Sequence, residues 1–261
     1  MRSILVQTGR DPQNAARLDS AFAIARANQG HVTLLIDTPI EQYMTVDPYG
    51  GTYLAREALE SAIAADDALA ALCEQRLAAG DVAFDVAKFE AAPIEAFCAA
   101  AQLADLVVVS RGSGLAGNLA FESSAPVLVL SSTGFLPHPL TAACIAWDGS
   151  APAARALRSA APLLRTCPNV HVLTVTNSGG DGFPPSDALR YLARHGIKAE
   201  LIELPKAHSV ERTLAAQIAL LNAQLLVMGA YSHNRMREFM FGGVTRYFLE
   251  DAKVPALLLA H

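Results

Sequence analysis

The sequence predicts an α/β protein of two tandem doubly wound domains, each with a five-stranded parallel sheet flanked by helices. Three observations carry this expectation. Short apolar runs alternate with helical patterns along the whole chain, as expected for parallel strands covered on both faces. The alternation stops at "SSTGFLPHP" (131–139) and then begins again. Finally, the halves contain matching segments: "ILVQTGRDPQNAARLDSA" with "CIAWDGSAPAARALRSA", "ADLVVVS" with "AQLLVMG", and "APVLVL" with "VPALLL". A repeat of this kind sets the domains at 1–133 and 141–261.

In the first half, residues 4–8 read as a strand and 11–28 as a helix carrying Ala15, Leu18, Phe22 and Ala25. Residues 31–36 form the second strand, followed by a Pro/Tyr/Gly loop over 37–51 and a long helix from 52 or 53 to about 79. A third strand covers 82–86, and Pro93 opens a helix that ends near 101, proline being well suited to a first helical position. Strands at 106–109 and 127–130 complete the half. In the second half, strands fall at 142–147, 170–175, 198–204, 225–228 and 256–259. Helices fall at 151–164, 187–194 and 210–221.

Composition excludes several function classes. The chain has 261 residues, 52% of them hydrophobic, and a net charge of −5, so disorder and an electrostatic nucleic-acid surface are not expected. No apolar run approaches the ~18 residues of a membrane helix, and "MRSILVQTGRD" does not read as a signal peptide. Cys73, Cys98, Cys144 and Cys167 lack paired metal-ligand spacing and read as free thiols in a reducing cytoplasm. His195, His208 and His233 are too scattered for a metal site. There is no G-x-S-x-G elbow, serine–histidine–acid arrangement or G-x-x-x-x-G-K-[ST] loop, so no catalytic residue is assigned.

The most informative stretch is 225–243. "LLVMG" suits a buried strand, with Gly229 allowing a sharp turn at its carboxyl end. "AYSHNRMREFMFGG" follows, and its last two glycines, Gly242 and Gly243, leave backbone amides bare before the helical pattern of Val244, Phe248 and Leu249. Bare amides at a helix N-terminus seat phosphate. Arg235 and Arg237 would add charge, while Ser232 and His233 stand nearby. The plainer alternative is a loop that needs glycine only for turning.

Asp148 follows the strand "CIAW", at the mouth of the crevice where open α/β sheets bind ligands. Its two oxygens suit two ribose hydroxyls; capping of the next helix by Asp148 or Ser150 is the alternative. Trp147 lies in the strand and reads as core. Val175 and Thr176 end the next strand, where a flat base could be flanked. Met228 reads as filler beside the crevice.

The first half is shorter at the equivalent place. Ser110 to Pro126 is sixteen positions, whereas Gly229 to Pro255 is twenty-six. The ten missing residues are expected to be the anion loop and its helix, leaving one competent site per chain. Residues 112–117 match G-x-G-x-x-G, but they follow the fourth strand rather than the first and read as a shortened loop.

These residues resemble the universal stress protein family, and the chain resembles a tandem member along nearly its whole length. The family loop has glycine, two residues, glycine, nine residues, glycine and a serine or threonine. Here it falls on Gly229, Ser232, Gly242 and Gly243, so Ser232 stands for a glycine and Gly243 for the hydroxyl residue. "WDGS" places Asp148 at the family aspartate.

The resemblance implies an adenine nucleotide alpha hydrolase-like fold and a site for ATP or AMP, with magnesium only alongside ATP. The site would include Val244 and Thr245 besides the residues above. It also implies a cytoplasmic stress-response protein that regulates or interacts through its nucleotide, with unknown protein partners and no membrane. A non-nucleotide scaffold or chaperone-like protein, and a slow ATP hydrolase, are the alternatives. Family members pair through their last strands, so the two halves would mimic that dimer and two chains would pair again as a homodimer.

Overall fold

A computed structural model describes residues 1–46, 52–131, 134–176, 182–230, 243–251 and 253–261. The first half runs β1 (Ser3–Gln7), α1 (Asn14–Asn28), β2 (His31–Asp37), β3 (Met44–Val46), β4 (Thr52–Leu54), α2 (Arg56–Leu77) and β5 (Ala83–Phe89). It continues with α3 (Pro93–Ala100), β6 (Leu106–Ser110), α4 (Ala116–Glu122) and β7 (Val127–Leu130). The second half runs β8 (Ala142–Ala146), α5 (Ala151–Leu164), β9 (Asn169–Thr176), α6 (Pro185–Arg194) and β10 (Ala199–Pro205). It ends with α7 (Val210–Leu220), β11 (Leu225–Gly229), α8 (Gly243–Glu250) and β12 (Ala256–Ala260).

The two predicted sheets are one. Ten strands lie in the order β10-β9-β8-β11-β12-β7-β6-β1-β2-β5, and each half contributes five parallel strands. The join is the single antiparallel pair of this sheet, β12 with β7, in the register Leu257↔Val129, Leu258↔Leu128 and Leu259↔Val127. All six side chains are fully buried. An unpaired apolar last strand would be an exposed edge, and the two halves remove it by pairing their last strands with each other. Both faces of the seam are apolar, so the halves share a continuous core on each face of the sheet.

Alternation along the strands assigns the faces. Ile145, Val172 and Val227 face the layer of α5 and α6, while Cys144, Leu173 and Met228 face that of α7 and α8. Each fully buried aliphatic side chain contributes about 1.5–3 kcal/mol, and most strand positions in the central six strands are of this kind.

Three local expectations need correction. The 37–51 loop and the start of the long helix instead contain part of a β3–β4 hairpin, and the helix begins at Arg56. The first half has not lost its last helix: α4 is present and spans seven residues against eight in α8. Eight of the ten residues therefore fall between strand and helix, five residues at 111–115 against thirteen at 230–242. The G-x-G-x-x-G segment forms a 3-10 turn at Arg111–Ser113, with Gly114 left-handed at φ 73°, and runs into α4.

Arg111 in that turn crosses the seam. Its guanidinium donates to the carbonyls of Asp251, Val254 (3.1 Å) and Pro255 (2.6 Å), just beyond α8. Burial lowers its pKa to about 10, which still leaves it charged at neutral pH. The cysteines are all free, three of them buried, and burial pushes the Cys144 thiol up to about 12.

Candidate functional site

In each half the winding reverses between two strands, β1 and β6 in the first and β8 and β11 in the second. Ligands of open α/β sheets bind outside the carboxyl ends of the strands at such a point. The two switch points are built differently.

At the first, Arg17 is fully buried on α1. Its Nε donates to the Gln7 carbonyl at 2.6 Å and Nη1 to the Ser110 hydroxyl at 2.5 Å. Both Nη atoms reach the Asp11 carboxylate, at 3.1 and 2.7 Å. Gln7 ends β1 and Ser110 ends β6, so the guanidinium bridges the two strands that would border a ligand. In the same half, Asp66 pairs with Arg10 and accepts from the Thr38 hydroxyl at 2.6 Å. Arginine 17 was not foreseen, although a signal exists. It lies four residues before Ala21 and seven before Ile24, hence on the buried face of α1.

At the second, the match of "RLDSA" (17–21) with "ALRSA" (156–160) puts the buried Ala156 where Arg17 stands. Gly229 stands where Ser110 does, and its reason is packing rather than turning. A Cβ there would meet the Ala153 nitrogen at 2.5 Å and the Pro152 carbonyl carbon at 2.7 Å, both in the backbone of α5's first turn. Ser150 caps that helix, accepting from the Ala153 N–H at 3.2 Å. Asp148 is left exposed at the strand end, accepting the Ser150 N–H at 3.0 Å.

The loops after β8 and β9 lock together. Gly149 has φ 76°, and a Cβ on it would meet the Phe183 carbonyl oxygen at 2.7 Å. The Phe183 N–H donates to the Gly149 carbonyl at 2.9 Å, and the Trp147 Nε1–H donates to the Phe183 carbonyl, also at 2.9 Å. This backbone contact gives a physical reason for glycine in both "DGS" and "DGF" that the sequence reading missed.

The remaining expected site residues divide into three groups. Trp147 is buried and faces α5 and α6, whereas Val175 and Met228 are buried on the opposite face. Val175 and Met228 pack among apolar neighbours on that face, and Trp147 also borders the space between α5 and α6. Thr176 is exposed and donates to the Leu204 carbonyl at 3.2 Å. On α8, Gly243 is exposed with open space about its Cα, Val244 is half-buried and Thr245 is buried. Because α8 links two parallel strands, its N-terminus lies at the carboxyl edge that also carries Asp148. Ser232, His233, Arg235, Arg237 and Gly242 lie outside the described residues. Among the described residues there is no cluster of metal-ligating side chains and no helix long and apolar enough to cross a membrane.

No family model and no curated protein matches the sequence. Solved structures do match. A universal stress protein from Archaeoglobus fulgidus DSM 4304 superposes with a TM-score of 0.71 at 13% identity, over 99% of this chain and 96% of that one. A protein of unknown function from Pseudomonas aeruginosa PAO1 gives 0.62 at 16% identity, over 100% and 92%. A candidate universal stress protein from Pseudomonas aeruginosa UCBPP-PA14 gives 0.62 at 16%, over 100% and 93%. The chain has the fold of these proteins along nearly its whole length.

Proposed function

We propose that this chain is a universal stress protein whose second half binds an adenine nucleotide, ATP or AMP, and that binding regulates its interactions during stress. The observation that carries the reading is the contrast at the two switch points. The first is occupied by the chain's own guanidinium, held by Gln7, Asp11 and Ser110. The second has no arginine at the matching position, and keeps an exposed carboxylate and an exposed helix start at its edge.

In this reading Asp148 receives the ribose hydroxyls. The amides at the start of α8 and the segment 231–242, with Ser232, His233, Arg235 and Gly242, receive the phosphates, where the helix dipole favours negative charge. Magnesium would enter with ATP, since no metal ligands are assigned to the chain. With the last strands paired inside the chain, a homodimer would use another surface.

Equilibrium dialysis with ATP and AMP tests the proposal. Asp148→Ala should weaken binding about tenfold, the loss of one charge-assisted contact. Ser110→Gly should leave affinity unchanged. A wild-type dissociation constant weaker than about 1 mM would instead support a scaffold that binds no nucleotide.

A further inference from the structure

The second half has a cleft of about 340 Å³ between α5 and α6. That volume is at the small end of the range typical of ligand pockets, about 300–1,000 Å³. Trp147, Leu157, Phe183 and Tyr191 line it. The one polar atom of the indole is already committed to the Phe183 carbonyl, so the floor presents only apolar surface. Phe183 remains 59% exposed, a large area of aromatic ring with no cover.

The rim is cationic in a chain whose net charge is −5. Arg158, Arg190 and Arg194 line it against one carboxylate, Asp187. Asp187 pairs with Arg190 at 3.0 Å. Arg158 and Arg194 have no ion pair among the described residues. A ring-lined floor below two uncompensated guanidinium groups selects a ligand with a flat apolar body and one anionic end.

We propose that this cleft binds a small aromatic carboxylate, with its ring against the exposed Phe183 and beside Trp147, and its carboxylate at Arg158 and Arg194. The cleft opens on the α5–α6 side of the sheet, and its occupation does not require the nucleotide reading to hold. Trp147 faces the α5–α6 layer, whereas Met228 and Val175 face the other.

Trp147 is the single tryptophan, so one indole N–H resonance reports on the cleft in the full chain. Titration with 2-naphthoate should shift that resonance with a dissociation constant below about 1 mM, and 2-naphthylmethanol should bind at least about tenfold more weakly. Arg158→Gln with Arg194→Gln should raise the naphthoate constant about tenfold. Ala154→Phe, which fills the cleft from α5, should abolish the shift while circular dichroism stays native. Saturating ATP should not displace naphthoate. The proposal is overturned by an unmoved indole at about 5 mM naphthoate, by equal affinity for the acid and the alcohol, or by displacement with ATP.

Discussion

The two switch points differ in what occupies the space between strand ends and first helix. In the first half Arg17 fills it and Ser110 accepts one of its hydrogen bonds. In the second no side chain bridges β8 and β11: Ala156 is small, and Gly229 lets the backbone of α5's first turn pack directly on the end of β11. The first half is closed by a polar network, whereas the second seats its helix by backbone packing and leaves Asp148 exposed at the strand end. The closed half can then contribute to the seam: its shortened loop delivers Arg111 onto the carbonyls beyond α8.

Four substitutions and one change of condition would break or sharpen this contrast. The largest effect is expected for Arg17→Met, which leaves the Ser110 hydroxyl and Gln7 carbonyl buried without their donor. It should lower the free energy of unfolding in urea by about 3 kcal/mol. Gly229→Ala forces a Cβ against backbone that cannot swing aside and should cost about 2 kcal/mol by the same measurement, whereas Ser110→Ala should cost less. If both serine and glycine tolerated alanine equally, the packing account of the second half would fail.

Ser150→Ala removes the cap of α5 and should cost about 1 kcal/mol, seen as a lower urea midpoint at an unchanged slope. The smallest effect concerns pH. Arg17 holds the Asp11 carboxyl below its usual value of 3.8. A group whose folded pKa lies below its unfolded one stabilises fully above the unfolded value and loses that contribution as pH falls through the folded one. Stability of the wild type should therefore decline below about pH 4, and the Arg17→Met variant should show a shallower acid slope over the same range.

Most of the strands and the internal repeat were legible in the sequence, since buried parallel strands are apolar runs with a period that chain neighbours set. The β3–β4 hairpin was not, because its strands are three residues long and carry no such run. The α4 helix was hidden by the glycines at 112, 114 and 117, which argue locally for a loop. At the candidate site, Asp148 and Gly229 were found by position in the repeat. The physical reason for Gly229 was not, because it depends on how near α5 comes.

The sequence by itself determined the α/β class, the doubling of the plan and the free thiols, all of which follow from local periodicity and residue spacing. Tertiary structure alone decided that the halves form one ten-stranded sheet through β7 and β12. It also decided that Arg17 bridges β1 and β6, and that Trp147 borders a cleft between α5 and α6. Those outcomes depend on contacts between residues far apart in the chain, where burial and hydrogen bonding are settled by which surfaces meet.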